Sequence, residues 1–157
     1  MSDKPEGPTP GFLVWRLSMK WRVAVDRALA PLGLTHAQYS LLGSLSGMAR
    51  EGRAPNQREL ADHSGLEALY VSKLARTLEA DGLIERTRDP KDTRAVRLAL
   101  SDRGREVTAA AIVVVHELID RLMEPLGGLA GEGTASLKRD LGLLLDVPLD
   151  APTEAGA

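Results

Sequence analysis

Between Gly82 and Ser101 the spacing of apolar residues changes from a period of about 3.6 to one of about 2, and this change most limits what the chain can become. Residues 84–88 and 95–100 alternate as strands do, and Asp89-Pro90-Lys91-Asp92-Thr93 has the composition of a connection between them. One hairpin therefore sits in an otherwise helical sequence. Just before it come two short helices. Asn56 follows Pro55 with Glu59 three residues on, an Asn variant of the capping box, and Gly65 closes that helix. The next spans 67–80, with Val71, Leu74, Ala75 and Leu78 facing inward, and Gly82 stops it, since glycine takes the left-handed conformation cheaply.

Four more helices flank this centre. Over 12–29, Val14, Leu17, Trp21, Val25 and Ala28 form an apolar stripe that ends near Pro31 and Gly33. Thr35 caps the following helix, 37–48, with Leu41, Leu42 and Leu45 inward. After the hairpin, Ser101 caps a helix running to about Glu124, with Val107, Ala111, Val114, Leu118 and Leu122 along one side. Pro125 and two glycines break it, and a last helix over about 134–146 presents Leu137, Leu141, Leu144 and Leu145. The fold class is mainly α with a small β-hairpin wing: four helices, two strands, two helices, a winged helix-turn-helix.

Composition narrows the function. With 43% hydrophobic and 27% charged residues the 157-residue chain has a globular balance. It has no cysteine, hence no disulfide, thiolate metal site or thiol sensor, which suits a reducing cytoplasm. No apolar run approaches the roughly 20 residues of a membrane span, and the polar, Pro-rich start lacks a signal-peptide layout. A cytoplasmic chain without a membrane partner is expected. There is no P-loop, Gly-rich dinucleotide turn or nucleophile elbow, so neither an enzyme nor a cofactor is expected. His36, His63 and His116 are too scattered for a local metal motif, and no metal site is expected. The net charge of −2 is unevenly spread: Arg50 to Arg105 holds 12 basic and 10 acidic residues, the remainder 8 and 12.

The second helix of such a pair fits the DNA major groove, where every base pair shows a distinguishable pattern of donors and acceptors. Its candidate reading residues are Ala68, Leu69, Tyr70, Ser72, Lys73 and Arg76, with Asn56 and Gln57 at the start of the preceding helix. Lys73 and Arg76 suit phosphates or guanine edges, and Ala68, Leu69 or Tyr70 suit thymine methyls. Arg86, Arg88, Lys91, Arg94 and Arg97 crowd the hairpin and are expected to grip a minor groove and its phosphates. The competing reading of that hairpin is a solvated strand edge protected by charge.

These residues also carry a resemblance. Leu83-Ile84-Glu85-Arg86, then Asp89, then Asp92-Thr93-Arg94-Ala95-Val96-Arg97-Leu98-Ala99-Leu100-Ser101-Asp102-Arg103-Gly104 resembles the wing signature of MarR-type regulators. So do Asn56-Gln57-Arg58-Glu59-Leu60-Ala61, Val71-Ser72-Lys73-Leu74 and Leu78-Glu79-Ala80-Asp81-Gly82-Leu83, and the helix order over 12–147. The resemblance implies a homodimer with interlocked terminal helices, for which Val14, Leu17, Val114, Leu118, Leu137, Leu141 and Leu144 are the candidates. It implies that Arg94 enters the minor groove while Asp92 holds the basic residues in place. It further implies release of DNA by a small aromatic or phenolic effector bound between dimer helices and reading head, near Trp15, Met19, His36 and Tyr39. Leu69 and Tyr70 depart from the small hydroxyl residues frequent in relatives, so an unusual operator is expected.

The chain thus divides into a flexible tail (1–10), a first dimerisation helix (11–34), a winged helix-turn-helix DNA-binding domain (35–100), two dimerisation helices (101–147) and a second flexible tail (148–157). The expected function is that of a sequence-specific regulator, a repressor, acting as a homodimer on a pseudo-palindromic operator in double-stranded DNA. The alternative, motivated by the acidic total and by Leu69 and Tyr70, is a winged-helix protein-interaction module that does not bind DNA.

Overall fold

Residues 7–149 are described in the computed structural model of the chain, so most of both expected tails, 1–6 and 150–157, lies outside the described residues. The first helix, α1 (Pro10–Leu29), starts two residues before the apolar stripe, because the Thr9 hydroxyl accepts from the Phe12 amide and Pro10 needs no amide partner. A 3₁₀ turn (Ala30–Leu32) and Gly33 lead to α2 (His36–Arg50). There the Thr35 side chain accepts from Gln38 N at 3.2 Å while Gln38 accepts from Thr35 N at 3.0 Å. The same reciprocal cap starts α3 (Gln57–Ser64), where Asn56 Oδ1 accepts from Glu59 N at 2.8 Å and Glu59 Oε2 from Asn56 N at 3.0 Å. Gly65, at φ 69°, makes the left-handed turn into α4 (Ala68–Ala80).

Strands β1 (Ile84–Arg88) and β2 (Val96–Leu100) pair antiparallel, with Ile84 opposite Leu100, Arg86 opposite Leu98 and Arg88 opposite Val96. On its other edge β2 is tied to the link between α2 and α3, for Leu98 N donates to the Pro55 carbonyl at 2.8 Å. Helix α5 (Asp102–Met123), a 3₁₀ turn (Glu124–Leu126) and α6 (Glu132–Leu145) follow. The described residues thus hold mostly helix and one two-stranded sheet, as the periods predicted.

Two compact units divide within α5, at Val115 and His116. In the first, Val25 and Leu29 of α1, Leu41, Leu42 and Leu45 of α2, Leu60, Val71, Leu78 and Leu98 form the fully buried core. Removing such side chains from water is the main favourable term in holding α2, α3, α4 and the hairpin together. In this unit a second side of α5, beside the expected stripe, faces the core. Its buried residues are Gly104, Thr108, Ala111 and Val115, while Val107 and Val114 are only half-buried. The cause is a contact outside the helix: a Cβ on Gly104 would collide with the Leu83 carbonyl, so the backbone of α5 lies directly on the base of the hairpin. Ser101 secures this junction by donating to the Gly82 carbonyl at 2.6 Å and accepting from Gly104 N at 2.9 Å.

In the second unit the Thr134 hydroxyl donates to the Gly128 carbonyl at 2.7 Å, and Asp120 Oδ1 accepts from Leu129 N at 3.2 Å. These bonds fix the loop before α6. Leu137 is half-buried, whereas Leu141, Leu144 and Leu145 are exposed. Among the described residues no helix is long and apolar enough to cross a membrane.

Candidate nucleic-acid interface

Helix α4 divides cleanly into two sides. Val71, Leu74, Ala75 and Leu78 enter the core, and Ala68, Leu69, Tyr70, Lys73 and Arg76 are exposed, with Ser72 half-buried. Leu69, Lys73 and Arg76 stand at i, i+4 and i+7 and so share one stripe. Leu69 is 77% exposed, with Tyr70 exposed beside it. At the start of α3 the Asn56 side chain is used by the cap, whereas Gln57 faces Ala68 and Leu66 across a cleft of about 550 Å³.

The hairpin separates its basic residues into two groups. Alternation places Arg86 in the same row as the buried Ile84, opposite Leu98, and its Nε lies 2.7 Å from Glu79 Oε2 of α4. Arg97 is likewise engaged: Nε donates to Asp89 Oδ2 at 2.8 Å, and Nη1 donates to Glu59 Oε2 at 3.0 Å and to the Ala54 carbonyl at 3.2 Å. The expectation of five basic side chains crowding the tip is therefore corrected to three, because a two-residue period turns Arg86 inward and two carboxylates hold Arg97. Arg88, Lys91 and Arg94 remain exposed, as does Asp92. Together with Lys73 and Arg76 they form no ion pair among the described residues, in contrast to Arg86 and Arg97.

Both aspartates of the connection shape its backbone. Asp89 Oδ1 accepts from Lys91 N at 2.8 Å and Asp92 Oδ1 from Arg94 N at 3.0 Å, each a side chain bonding the amide two residues on. The Lys91 amide, followed by the Arg97 guanidinium, holds the Asp89 carboxyl below the usual carboxylate range. Asp89 in turn raises the pKa of Arg97 above its ordinary value.

A second cleft, of about 540 Å³, lies where α1, α2 and the start of α4 meet, with Arg22, Asp26, His36, Ser40, Leu66 and Tyr70 in its walls. Of the four residues expected around an effector, only His36 lines it. Tyr39 faces a separate hollow with Gly43 and Ile112, Trp15 is exposed and Met19 half-buried. The resemblance points to Trp15 and Met19 on α1, whereas the wall that α1 gives this cleft comes from Arg22 and Asp26, one turn apart. Their place is set by Asp26 Oδ1, which accepts from His36 N at 2.7 Å. Burial pushes the His36 imidazole below its ordinary pKa, against the pull of Asp26 and with a smaller push from Arg22. Trp21 meets the His36 ring edge-on, with centroids 6.4 Å apart. Burial pushes the Tyr39 phenol up. No group of three potential metal ligands occurs among the described residues.

The expected dimerisation residues occupy varied settings. Val14, Leu17, Leu141 and Leu144 are exposed, and Val114, Leu118 and Leu137 are half-buried.

Known proteins share this arrangement. The MarR family pattern matches residues 32–95, from the turn before α2 to the end of the hairpin connection. The HTH-type transcriptional regulator YdcH of Bacillus subtilis is 40% identical over 118 residues, 74% of this chain and 80% of YdcH. CouR of Rhodococcus jostii RHA1, solved with p-coumaroyl-CoA, is 30% identical with a TM-score of 0.74, covering 90% of this chain and 94% of CouR. CouR is described as a transcriptional repressor and has also been solved on a 23-mer DNA duplex. MepR of S. aureus, solved as a DNA complex, is 26% identical with a TM-score of 0.78 over 88% of this chain and 98% of MepR.

Proposed function

This chain belongs to the MarR family of transcriptional regulators, and on that premise we propose that it is a cytoplasmic repressor that binds double-stranded DNA as a homodimer. The family is one of regulators and not of enzymes, so the chemistry to account for is binding. The observation that carries the proposal is the placing of five exposed cations on α4 and the hairpin, Lys73, Arg76, Arg88, Lys91 and Arg94, none of them in an ion pair among the described residues. Cations left without carboxylate partners are what phosphates require, and neutralising phosphates supplies most of the affinity of such complexes. Sequence reading then falls to the α4 stripe, where Leu69 offers an apolar contact to thymine methyls and Arg76 and Lys73 reach guanine edges or phosphates. Ala68, Tyr70, Ser72, Asn56 and Gln57 complete that surface, and Asp92 orders the backbone that carries Arg94.

The DNA-bound state of MepR and CouR supports this reading, and the exposed Val14, Leu17, Leu141 and Leu144 support a dimer that covers them. A two-fold dimer requires a pseudo-palindromic operator, with half-site centres about 34–36 Å apart. Selecting bound fragments from a random duplex pool and footprinting them tests the proposal. Protection with two-fold symmetry is expected, and loss of Arg94 weakens binding by about 1–3 kcal/mol if it reads the minor groove. Protection without symmetry, or Arg94→Ala binding as the parent does, contradicts it.

The cleft bounded by Arg22, His36 and Tyr70 supports control by a small aromatic or phenolic effector, since Leu66 and Tyr70 belong to the turn before α4 and its first turn. A ligand there acts only through its different affinity for DNA-competent and DNA-incompetent states. Because Trp21 touches His36, such a compound quenches Trp21 and not the exposed Trp15; quenching retained in Trp21→Phe argues against this cleft. A second reading, a protein-interaction module, is favoured by one observation, the adjacent exposure of Leu69 and Tyr70. Failure to retain any duplex from the pool would favour it.

A further inference from the structure

We propose that Arg97 is a positioning residue for the wing: its guanidinium joins the hairpin tip to the cap of α3 and sets where Lys91 and Arg94 stand, without itself touching DNA. Three nitrogens of one planar group reach three partners. Nε and Nη2 lie 2.8 and 2.7 Å from Asp89 Oδ2, and Nη1 lies 3.0 Å from Glu59 Oε2 and 3.2 Å from the Ala54 carbonyl. Both carboxylates are themselves anchored to backbone. Asp89 accepts the Lys91 amide inside the connection, and Glu59 accepts the Asn56 amide at the start of α3. A continuous path therefore runs from the α3 cap through Glu59, Arg97 and Asp89 to the amide of Lys91.

A two-stranded hairpin alone is marginal in water, so its tip takes a fixed place only if something outside the hairpin holds it. Deleting the guanidinium leaves two carboxylates facing each other on the side that approaches phosphates, a loss of position and a gain of repulsion together. Lysine keeps the charge but cannot present three donors in a plane. The consequence for DNA rests on the DNA-binding reading above, whereas the tie itself can be tested on the free protein.

The test uses Arg97→Gln and Arg97→Lys in the full chain. In the free protein, amide hydrogen exchange at Lys91 and Arg94 is expected to quicken about tenfold or more in both variants, while Leu41 to Met48 of α2 exchange as in the parent. Unchanged exchange at the tip overturns the proposal. So does equal acceleration in α2, because Arg97 would then hold the whole unit and not the wing. On a selected operator, Arg97→Gln is expected to cost about tenfold in affinity with Arg94 present and much less in an Arg94→Ala background. An equal loss in both backgrounds makes Arg97 an independent contact and overturns the proposal. If the parent binds no duplex, the functional reading fails and the exchange result alone decides whether the tie exists.

Discussion

Arginines of this chain divide by what already holds them. Arg86 lies with its stem along the inner row of the hairpin and its head on Glu79, so Arg86→Ala removes packing and a half-exposed ion pair. The expected result is a loss of about 1 kcal/mol in stability, with the salt slope of DNA binding unchanged. Denaturant titration beside salt-dependent binding checks it, and a reduced slope would return Arg86 to the DNA surface. His36 gives a pH prediction. Burial lowers its pKa in the folded chain below the ordinary 6.5, so the unfolded chain takes up its proton first as pH falls. Its contribution to stability is complete above 6.5, declines as pH drops through that value, and levels off below the folded midpoint. A proton NMR titration of His36 with a midpoint at or above 6.5 would contradict this. From sequence, Arg86 and Arg97 read as two more cations near a basic tip. That alternation turns Arg86 inward could be inferred, but nothing local announces Glu59, 38 residues away, as a partner of Arg97.

Among elements, the short helices were the most legible. Thr35, and Asn56 with Glu59, mark their helix starts because a cap is settled by residues close in sequence. The rotation of α5 was not legible. Its sequence carries Val113, Val114 and Val115 in succession, so an apolar stripe can be drawn on more than one side. The choice is made by Gly104 against the Leu83 carbonyl, a contact between separate elements. Gly104→Ala is accordingly expected to destabilise the chain by about 1–3 kcal/mol through overpacking, although alanine favours helix elsewhere. A thermal midpoint equal to or above that of the parent would remove the contact from this role. The candidate effector cleft escaped for a related reason: the resemblance points to aromatics of the first two helices, whereas the cleft depends on Arg22 and Asp26 and on the bond from the His36 amide to Asp26, which joins α1 to α2.

For the molecule as a whole, the exposed leucines of α6 determine the expected assembly. Leu141 is 41% exposed and Leu144 63%, a seam that one copy leaves in water. Substituting both with glutamate is expected to give a monomer by sedimentation, still folded by circular dichroism, with operator affinity reduced because two half-sites are no longer engaged together. A dimer that persists would move the interface to α1, where Val14 and Leu17 are also exposed. The bond from Leu98 N to Pro55 bears on solubility as well. A small sheet normally offers two rows of unsatisfied amides and carbonyls on which a stranger's strand can grow. Here the central outward amide of β2 is already occupied, and by a proline, which has no amide of its own to present beyond it. Strand addition to this sheet is therefore easier on the β1 side, where the exposed Glu85 and Arg88 set charge against it.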